Sequence, residues 1–218
     1  MDRNEIDYYS DVLCVWAWIA QRRLEEAGDE WGGRIHLKHH FVNVFGDTAD
    51  KVGKQWSDRG GYAGFATHVR ESAAPYETAP VNADVWTKIR PRTSATAHLV
   101  LKAAEFAKGP EAASRLEFKL REAFFIDAAD IGTTGAVLEI ADDTGFDKAD
   151  LSSAIESGAA IAELLADYDR AKALGIRGSP SWVMNDGRQI LYGNVGYRLI
   201  SANIEEVLKR PAEQASWC

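Results

Sequence analysis

A strand, a helix and a second strand follow one another near the start of the chain, and this order constrains the fold more than any other feature of the sequence. Residues 5–13 are rich in β-forming side chains, residues 15–27 place apolar side chains at helical spacing, and residues 34–42 alternate between two faces. Two strands that a single helix connects lie parallel in one sheet with a right-handed crossover. The sequence therefore predicts a βαβ unit.

A long helical block follows this unit. Between residues 46 and 173 the chain is rich in alanine and in charged side chains, and its apolar residues recur at helical spacing. No segment of the block alternates in the way that a strand would. The pattern predicts helices over 61–73, 95–107, 111–125, 134–143, 148–156 and 159–173.

Strand patterns return after Gly175. Residues 180–184 and 188–192 are strand-like, and the Asn-Asp-Gly turn at 185–187 is typical of a hairpin. A last helix is predicted over 197–209. The second half of the sheet should therefore have the order ββα.

The complete order is similar to that of the thioredoxin fold, an α/β fold, with a helical domain inserted between its βαβ and ββα halves. We expect residues 1–45 and 174–218 to form the thioredoxin-like domain. Residues 46–173 should form the inserted helical domain.

The composition is that of an ordinary globular protein and excludes several functions. The 218 residues are 46% apolar, and 25 Lys and Arg against 33 Asp and Glu give a net charge of −8. Nucleic-acid binding depends on clustered basic residues, which this chain lacks, so we expect no nucleic-acid partner. No stretch approaches the roughly 18 apolar residues of a membrane span, and the first seven residues are too polar for a secretory signal. We therefore expect a cytoplasmic protein with no membrane partner.

The two cysteines, Cys14 and Cys218, are too few for a disulfide framework or a zinc site. Cys14 lies where the first strand gives way to the first helix, and the free N–H groups at a helix start favour a thiolate with a lowered pKa. This position indicates a reactive thiol, although a single cysteine is also commonly a small buried apolar residue. Pairing of Cys14 with Cys218 would need an almost taut C-terminal tail and is not expected.

Pro180 lies at the entry of the returning strand, directly after Ser179. A proline in this place indicates a cis peptide bond in a tight turn. The turn either faces a substrate or only stabilises the fold.

Five stretches, spread along the chain, match one family in order. At these residues the chain resembles the DsbA-like thioredoxin-fold proteins, and within them the FrnE-like branch, to which 2-hydroxychromene-2-carboxylate isomerases and kappa-class glutathione transferases are related. The matching stretches are 7–18, 41–43, 91–98, 124–131 and 175–181. The resemblance implies a thiol-dependent oxidoreductase or a glutathione-using enzyme, generally a homodimer, that acts on a small thiol or disulfide substrate.

The resemblance also implies a set of site residues. Cys14 would be the catalytic thiol and would face the cis-proline, Pro180. The backbone of Ser179 would pair with the peptide part of a substrate. Trp16, beside the thiol, and Asn43, in a matching stretch, complete the expected substrate-binding residues.

The chain departs from the family pattern at the second thiol. FrnE-like oxidoreductases carry Cys-Pro-Trp-Cys, whereas residues 14–17 here read Cys-Val-Trp-Ala. A second thiol releases the mixed disulfide that the first thiol forms, so a lone thiol must wait for an external thiol such as glutathione. The glutathione-using relatives have a serine at the position of Cys14, where its hydroxyl only steadies the sulfur of bound glutathione.

Three functions therefore stay open. The first is a monothiol oxidoreductase that uses Cys14. The second is a glutathione-dependent isomerase or transferase, although residues 193–198 keep an arginine but lack the aspartate that such relatives use for the γ-glutamyl end. The third is a binding or chaperone-like module without catalysis.

No tightly bound cofactor is expected, and glutathione or another small thiol would act only as a co-substrate. A metal site is not expected either. His36, His39 and His40 are close in sequence, but neighbours on a strand point to opposite faces, so only one pair of them could converge, without a carboxylate, on one ion. His98, in one of the matching stretches, either lines the cleft or packs in the core, and we expect the structural role.

Overall fold

The computed structural model describes residues 4–209. Its four-stranded sheet has the order β2-β1-β3-β4, in which β1 and β2 are parallel and β3 is antiparallel to both of its neighbours. This arrangement confirms the predicted thioredoxin-like fold and its βαβ and ββα halves. The strands are β1 (Asn4–Ser10), β2 (Ile35–Phe41), β3 (Ser181–Met184) and β4 (Gln189–Tyr192).

Seven of the eight α-helices that the structure describes agree with the sequence patterns to within one residue at each end. Six of them lie between β2 and β3, as predicted. In chain order the helices are α1 (Val15–Trp31), α2 (Gly61–Ala73), α3 (Ala95–Lys108), α4 (Pro110–Phe125), α5 (Thr134–Asp143), α6 (Lys148–Glu156), α7 (Ala159–Ala173) and α8 (Tyr197–Leu208).

The first helix is longer than predicted, because Gly28 does not end it. Helix α1 continues to Trp31, whose indole packs against the core beside α8 and donates a hydrogen bond to the Ser201 hydroxyl at 3.2 Å. A glycine inside a helix costs about 1 kcal/mol relative to alanine. The packing of Trp31 offsets this cost.

Two short helical turns precede α2 and were not predicted. Residues Ala49–Lys54 form a π-helical turn, and residues Ser57–Arg59 form a 3₁₀ turn. Segments of one or two turns carry too few residues to establish a period.

The largest apolar core joins the start of α1 to the helical block. It includes Val12, Leu13 and Trp18 together with residues of α2 to α7. A smaller core lies against the sheet under α8 and includes Trp182 and Ile204. The division of the chain into two domains stays a prediction. Within residues 4–209, no helix has both the length and the apolar character needed to cross a membrane.

The core under α8 should contribute strongly to stability. Ile204 is fully buried there, whereas Leu199 on the same helix is 61% exposed. We expect Ile204→Ala to lower the free energy of unfolding by about 2–5 kcal/mol, because it removes buried methyl groups and leaves a cavity. Leu199→Ala should change it by less than about 0.5 kcal/mol. Urea unfolding of the two variants measures the difference, and equal losses would contradict the packing described here.

Candidate active site around Cys14

Cys14 occupies the first turn of α1 as its N-cap residue. Its N–H donates to the carbonyl of Asp11 at 3.0 Å, and its carbonyl accepts from the N–H of Trp18 at 3.0 Å. The residue is only 5% exposed. Its thiol donates a hydrogen bond to the backbone carbonyl of Ser179, with 3.2 Å between the sulfur and the oxygen. The thiol therefore lies against the turn before β3.

This turn contains a cis peptide bond between Ser179 and Pro180, which confirms the prediction from the sequence. The Ser179 hydroxyl accepts a hydrogen bond from the N–H of Asp11 at 2.9 Å. The carbonyl of Pro180 accepts from the N–H of Gly193, at the end of β4. Ser179 therefore binds both ends of the loop 11–14, through its hydroxyl to Asp11 and through its carbonyl to Cys14.

Asp11 is the residue of this site that sequence reasoning missed. Its carboxylate is fully buried. One oxygen accepts from the N–H groups of Val44 and Phe45 and from the hydroxyl of Ser94, at 2.8–3.1 Å. The other oxygen accepts from the N–H of Leu13 at 3.0 Å. The carboxylate therefore holds three separate segments of the chain beside the Cys14 loop.

His98, on α3, is also fully buried and packs against the loop 11–14. The N–H of Val12 donates to its Nε2 at 3.1 Å, so this nitrogen is an acceptor and the ring proton lies on Nδ1, 3.1 Å from the Tyr168 hydroxyl. Burial lowers the pKa of His98, which agrees with a neutral ring. The structural role expected for His98 is the one observed.

The protonation state of Cys14 differs from the expectation. Burial raises the pKa of its thiol above the ordinary value, while contacts with Ser179 and with the N–H groups of Ala17 and Trp16 oppose this rise only in part. The prediction of a lowered pKa is wrong for this arrangement, because it counted the helix start and left out burial. The resting thiol is protonated.

The other two expected site residues lie at different distances from the chemistry. Trp16 is half-buried, lies two residues after Cys14 in sequence, and packs against the main core. Asn43 is exposed, and its side chain lies over Gly46, where an added Cβ would come within 1.8 Å of the Asn43 amide oxygen. No hydrogen bond within residues 4–209 joins the Asn43 side chain to the Cys14 loop. Its role in substrate binding stays a prediction.

Cys218 and the histidines of β2 are the remaining candidate residues from the sequence. Cys218 lies outside the described residues. His39 and His40 contact different carboxylates, Glu117 for the first and both Asp7 and Asp167 for the second. Across residues 4–209, no group of three or more potential ligands is placed to hold a metal ion.

The raised pKa has a direct kinetic consequence, since only the thiolate reacts with alkylating agents. In Cys218→Ser protein, we expect alkylation of Cys14 to be slower at pH 7 than that of a free cysteine. The rate should still rise with pH above the ordinary midpoint of about 8.5. Iodoacetamide labelling from pH 6 to pH 10, followed by mass spectrometry, gives the profile. A plateau below pH 8 would show a poised thiolate instead.

Asp11 provides the second prediction from this site. The two carboxylate oxygens of Asp11 accept hydrogen bonds from buried donors, whereas an asparagine would have only one acceptor oxygen. Each buried donor that is left without an acceptor costs about 1–3 kcal/mol. We expect Asp11→Asn to lower the free energy of unfolding by roughly 2–4 kcal/mol by that reasoning. Asp58→Asn, at an exposed position in a 3₁₀ turn, is the matched control and should leave stability unchanged. Similar denaturation midpoints for the two variants would refute the role given to Asp11.

A curated relative matches most of the chain in sequence. In sequence, the chain is 26% identical over 185 residues to the ClpXP adapter protein SpxH of Halalkalibacterium halodurans, and this match covers 82% of the chain. The chain spans 58% of the length of that relative.

Solved structures show the same fold over nearly the whole chain. A candidate protein disulfide isomerase from Nitrosomonas europaea has a TM-score of 0.75 at 18% identity, and the match covers 99% of this chain and 100% of that one. The cytosolic disulfide reductase DsbM from Pseudomonas aeruginosa, also solved with GSH, has a TM-score of 0.67 at 19% identity, with 96% and 98% covered. A 2-hydroxychromene-2-carboxylate isomerase has a TM-score of 0.66 at 15% identity, with 97% and 100% covered.

A known sequence family accounts for almost all of the chain. The family described as the DSBA-like thioredoxin domain matches residues 5–205. This match includes the Cys14 loop, the helical block and the cis-proline turn. The chain therefore belongs to the family of DSBA-like thioredoxin domain proteins.

Proposed function

We propose that the chain is a DsbA-like thiol-disulfide oxidoreductase, similar to the FrnE-like branch, in which Cys14 is the reacting thiol. The observation that carries this proposal is the 3.2 Å hydrogen bond from the Cys14 thiol to the carbonyl of Ser179, directly before cis-Pro180. The sulfur thus lies beside a backbone segment that an extended peptide or glutathione can join as a strand would.

Substrate binding would also change the state of the thiol. Within the described residues, the N–H of Ser179 donates no hydrogen bond, and its carbonyl accepts only from the Cys14 thiol. A substrate backbone that pairs with this peptide takes over the carbonyl and releases the sulfur. The thiol can then lose its proton and attack, while Trp16 and Asn43 border the bound substrate.

The reaction balances in two exchanges. In the first, the Cys14 thiolate attacks a substrate disulfide, a Cys14–substrate disulfide forms, and the other substrate sulfur leaves as a thiolate. In the second, the thiolate of a small external thiol attacks the substrate sulfur of this mixed disulfide. Cys14 leaves as a thiolate, and the substrate departs as a mixed disulfide with the small thiol. The external thiol is required because position 17 is an alanine.

Glutathione is the small thiol that we propose, as a co-substrate and not as a bound cofactor. DsbM, which shares the fold, is a disulfide reductase that has been crystallised with GSH. Arg198 lies in the first turn of α8, where the glutathione-using relatives also carry an arginine. We further propose that the protein works in the cytoplasm as a homodimer, following its resemblance to the family.

Replacement of the thiol tests this function. With hydroxyethyl disulfide as substrate and glutathione as reductant, we expect Cys14→Ser to lower turnover by about 100-fold or more, because a hydroxyl cannot form a disulfide. Cys218→Ser is the matched control and should retain the wild-type rate. A Cys14→Ser protein that kept full activity would sink the proposal and would favour an isomerase or transferase in which residue 14 only positions glutathione.

A second candidate is a binding module without catalysis. The burial of Cys14 and its raised pKa favour it, as does the match to SpxH, which is an adapter protein. The same assay separates the two candidates. An absence of turnover in the wild-type protein, with no protection of Cys14 from alkylation by millimolar glutathione, would leave the binding module as the better account.

A further inference from the structure

A serine, a histidine and a glutamate lie in line where α4 crosses the edge strand β2. His39 Nδ1 is 2.8 Å from a carboxylate oxygen of Glu117, and His39 Nε2 is 3.5 Å from the hydroxyl oxygen of Ser114. Ser114 and Glu117 are three residues apart on α4, so they share one face of the helix. The histidine of β2 lies between them.

Glu117 is held as a carboxylate. It is 1% exposed, and its second oxygen accepts hydrogen bonds from the Arg121 guanidinium and, at 2.9 Å, from the Ser10 hydroxyl. Burial alone would raise the pKa of Glu117, but Arg121 and His39 hold it well below its ordinary range. The carboxylate therefore stays charged at neutral pH.

A charged Glu117 decides the tautomer of His39. Nδ1 must carry a proton to donate to the carboxylate, so in the neutral ring Nε2 has a free lone pair. This lone pair faces the Ser114 hydroxyl. The order of nucleophile, base and orienting carboxylate is the one that activates a serine in acyl-transfer enzymes, where these hydrogen bonds are often longer before substrate binds.

The serine also faces open space. Ser114 and Gln21 line a cavity of about 660 Å³ between α1, α4 and the end of α5, with Phe118 and Phe146 among its apolar walls. The amide oxygen of Gln21 accepts a hydrogen bond from Arg121 at 3.2 Å, and no hydrogen bond within residues 4–209 uses its amide nitrogen. A volume of this size accommodates a small organic ligand.

We propose that Ser114 and His39 form a second catalytic site, which transfers the acyl group of a carboxylic ester to water, with Glu117 as the positioning residue. Nothing in this site uses Cys14 or the cis-proline turn. The site lies on the α4 face of the molecule and is independent of the oxidoreductase chemistry.

The reaction proceeds through an acyl-serine. The Ser114 oxygen attacks the ester carbonyl as its proton moves to His39 Nε2, and the alcohol leaves with that proton when the C–O bond breaks. Water then attacks the acyl-serine and gives its proton to His39. The acid departs, and the serine oxygen recovers that proton. Gln21 is the donor available for the developing oxyanion.

Three basic residues line the cavity against two acidic ones, Glu25 and Asp143, and Glu25 is already paired with Arg22. This excess of positive charge favours an ester that carries an anionic group. Lys108 and Lys119 line the cavity but already bind the carbonyl of Gly145 and the carboxylate of Glu122. Arg115 also lines it, is exposed, and has no ion-pair partner within residues 4–209. A carboxylate on the substrate would pair with this guanidinium.

Covalent labelling tests the serine directly. We expect a fluorophosphonate to phosphonylate the full chain at Ser114, with release of fluoride, as located by peptide mass spectrometry. Ser114→Ala should remove this adduct, and it is safe for folding because alanine is the better helix former. His39→Gln should slow labelling at least tenfold, and Ser153→Ala, a serine on α6, is the matched control that leaves it unchanged.

Each other result would overturn the proposal. If Ser114 is not labelled, or if label on Ser114 forms at the same rate in His39→Gln, the serine is only a hydrogen-bond partner of His39. The substrate class has its own test in Cys14→Ser/Cys218→Ser protein, which removes both thiols. Hydrolysis of mono-4-nitrophenyl succinate should exceed that of 4-nitrophenyl acetate, and Arg115→Gln should abolish the preference. Equal rates for the two esters in the parent protein would refute the anionic substrate.

Discussion

The buried carboxylate of Asp11 is the constraint on which the candidate active site depends. A carboxylate taken out of water is stable only where hydrogen bonds replace its hydration. The donors that Asp11 meets come from its own loop, from the segment after β2 and from the start of α3. These segments must come together to satisfy the charge, and their meeting places Cys14 against the cis-proline turn.

Two opposing effects, the helix N-terminus and burial, decide the protonation state of the Cys14 thiol. A helix N-terminus stabilises an anion by about 0.3–1 kcal/mol, and by about 2 kcal/mol at best, which corresponds to at most about 1.5 pH units at 1.36 kcal/mol per unit. Burial can shift a pKa by about 3–5 units in the opposite sense. For a thiol that is 5% exposed, burial is the larger effect. The site thus keeps its resting thiol protonated.

The sequence predicted the fold well because each element carries its own period, and it predicted the site less completely because the site is made by distant partners. Cys14 and Pro180 could be found from local signals, a helix start and a proline at a strand entry. Asp11 could not, since its partners are up to 83 residues away and an aspartate before a helix also suggests a simple cap. Ser114, His39 and Glu117 gave no shared signal either, because β2 and α4 lie far apart in the chain.

Two consecutive histidines explain how the helical block is fixed to the sheet. Neighbours on a strand point to opposite faces, and His39 binds Glu117 of α4 while His40 binds Asp167 of α7. Asp167 also accepts a hydrogen bond from the backbone N–H of Phe41. Phe41 is the last residue of β2, which is an edge strand of the sheet. A slip of β2 by one residue would turn each histidine away from its carboxylate, so that Glu117 and Asp167 would each lose one hydrogen-bond partner inside the protein. The buried carboxylates of α4 and α7 therefore fix the register of β2, protect its edge from further pairing, and hold the two helices on opposite faces of the strand.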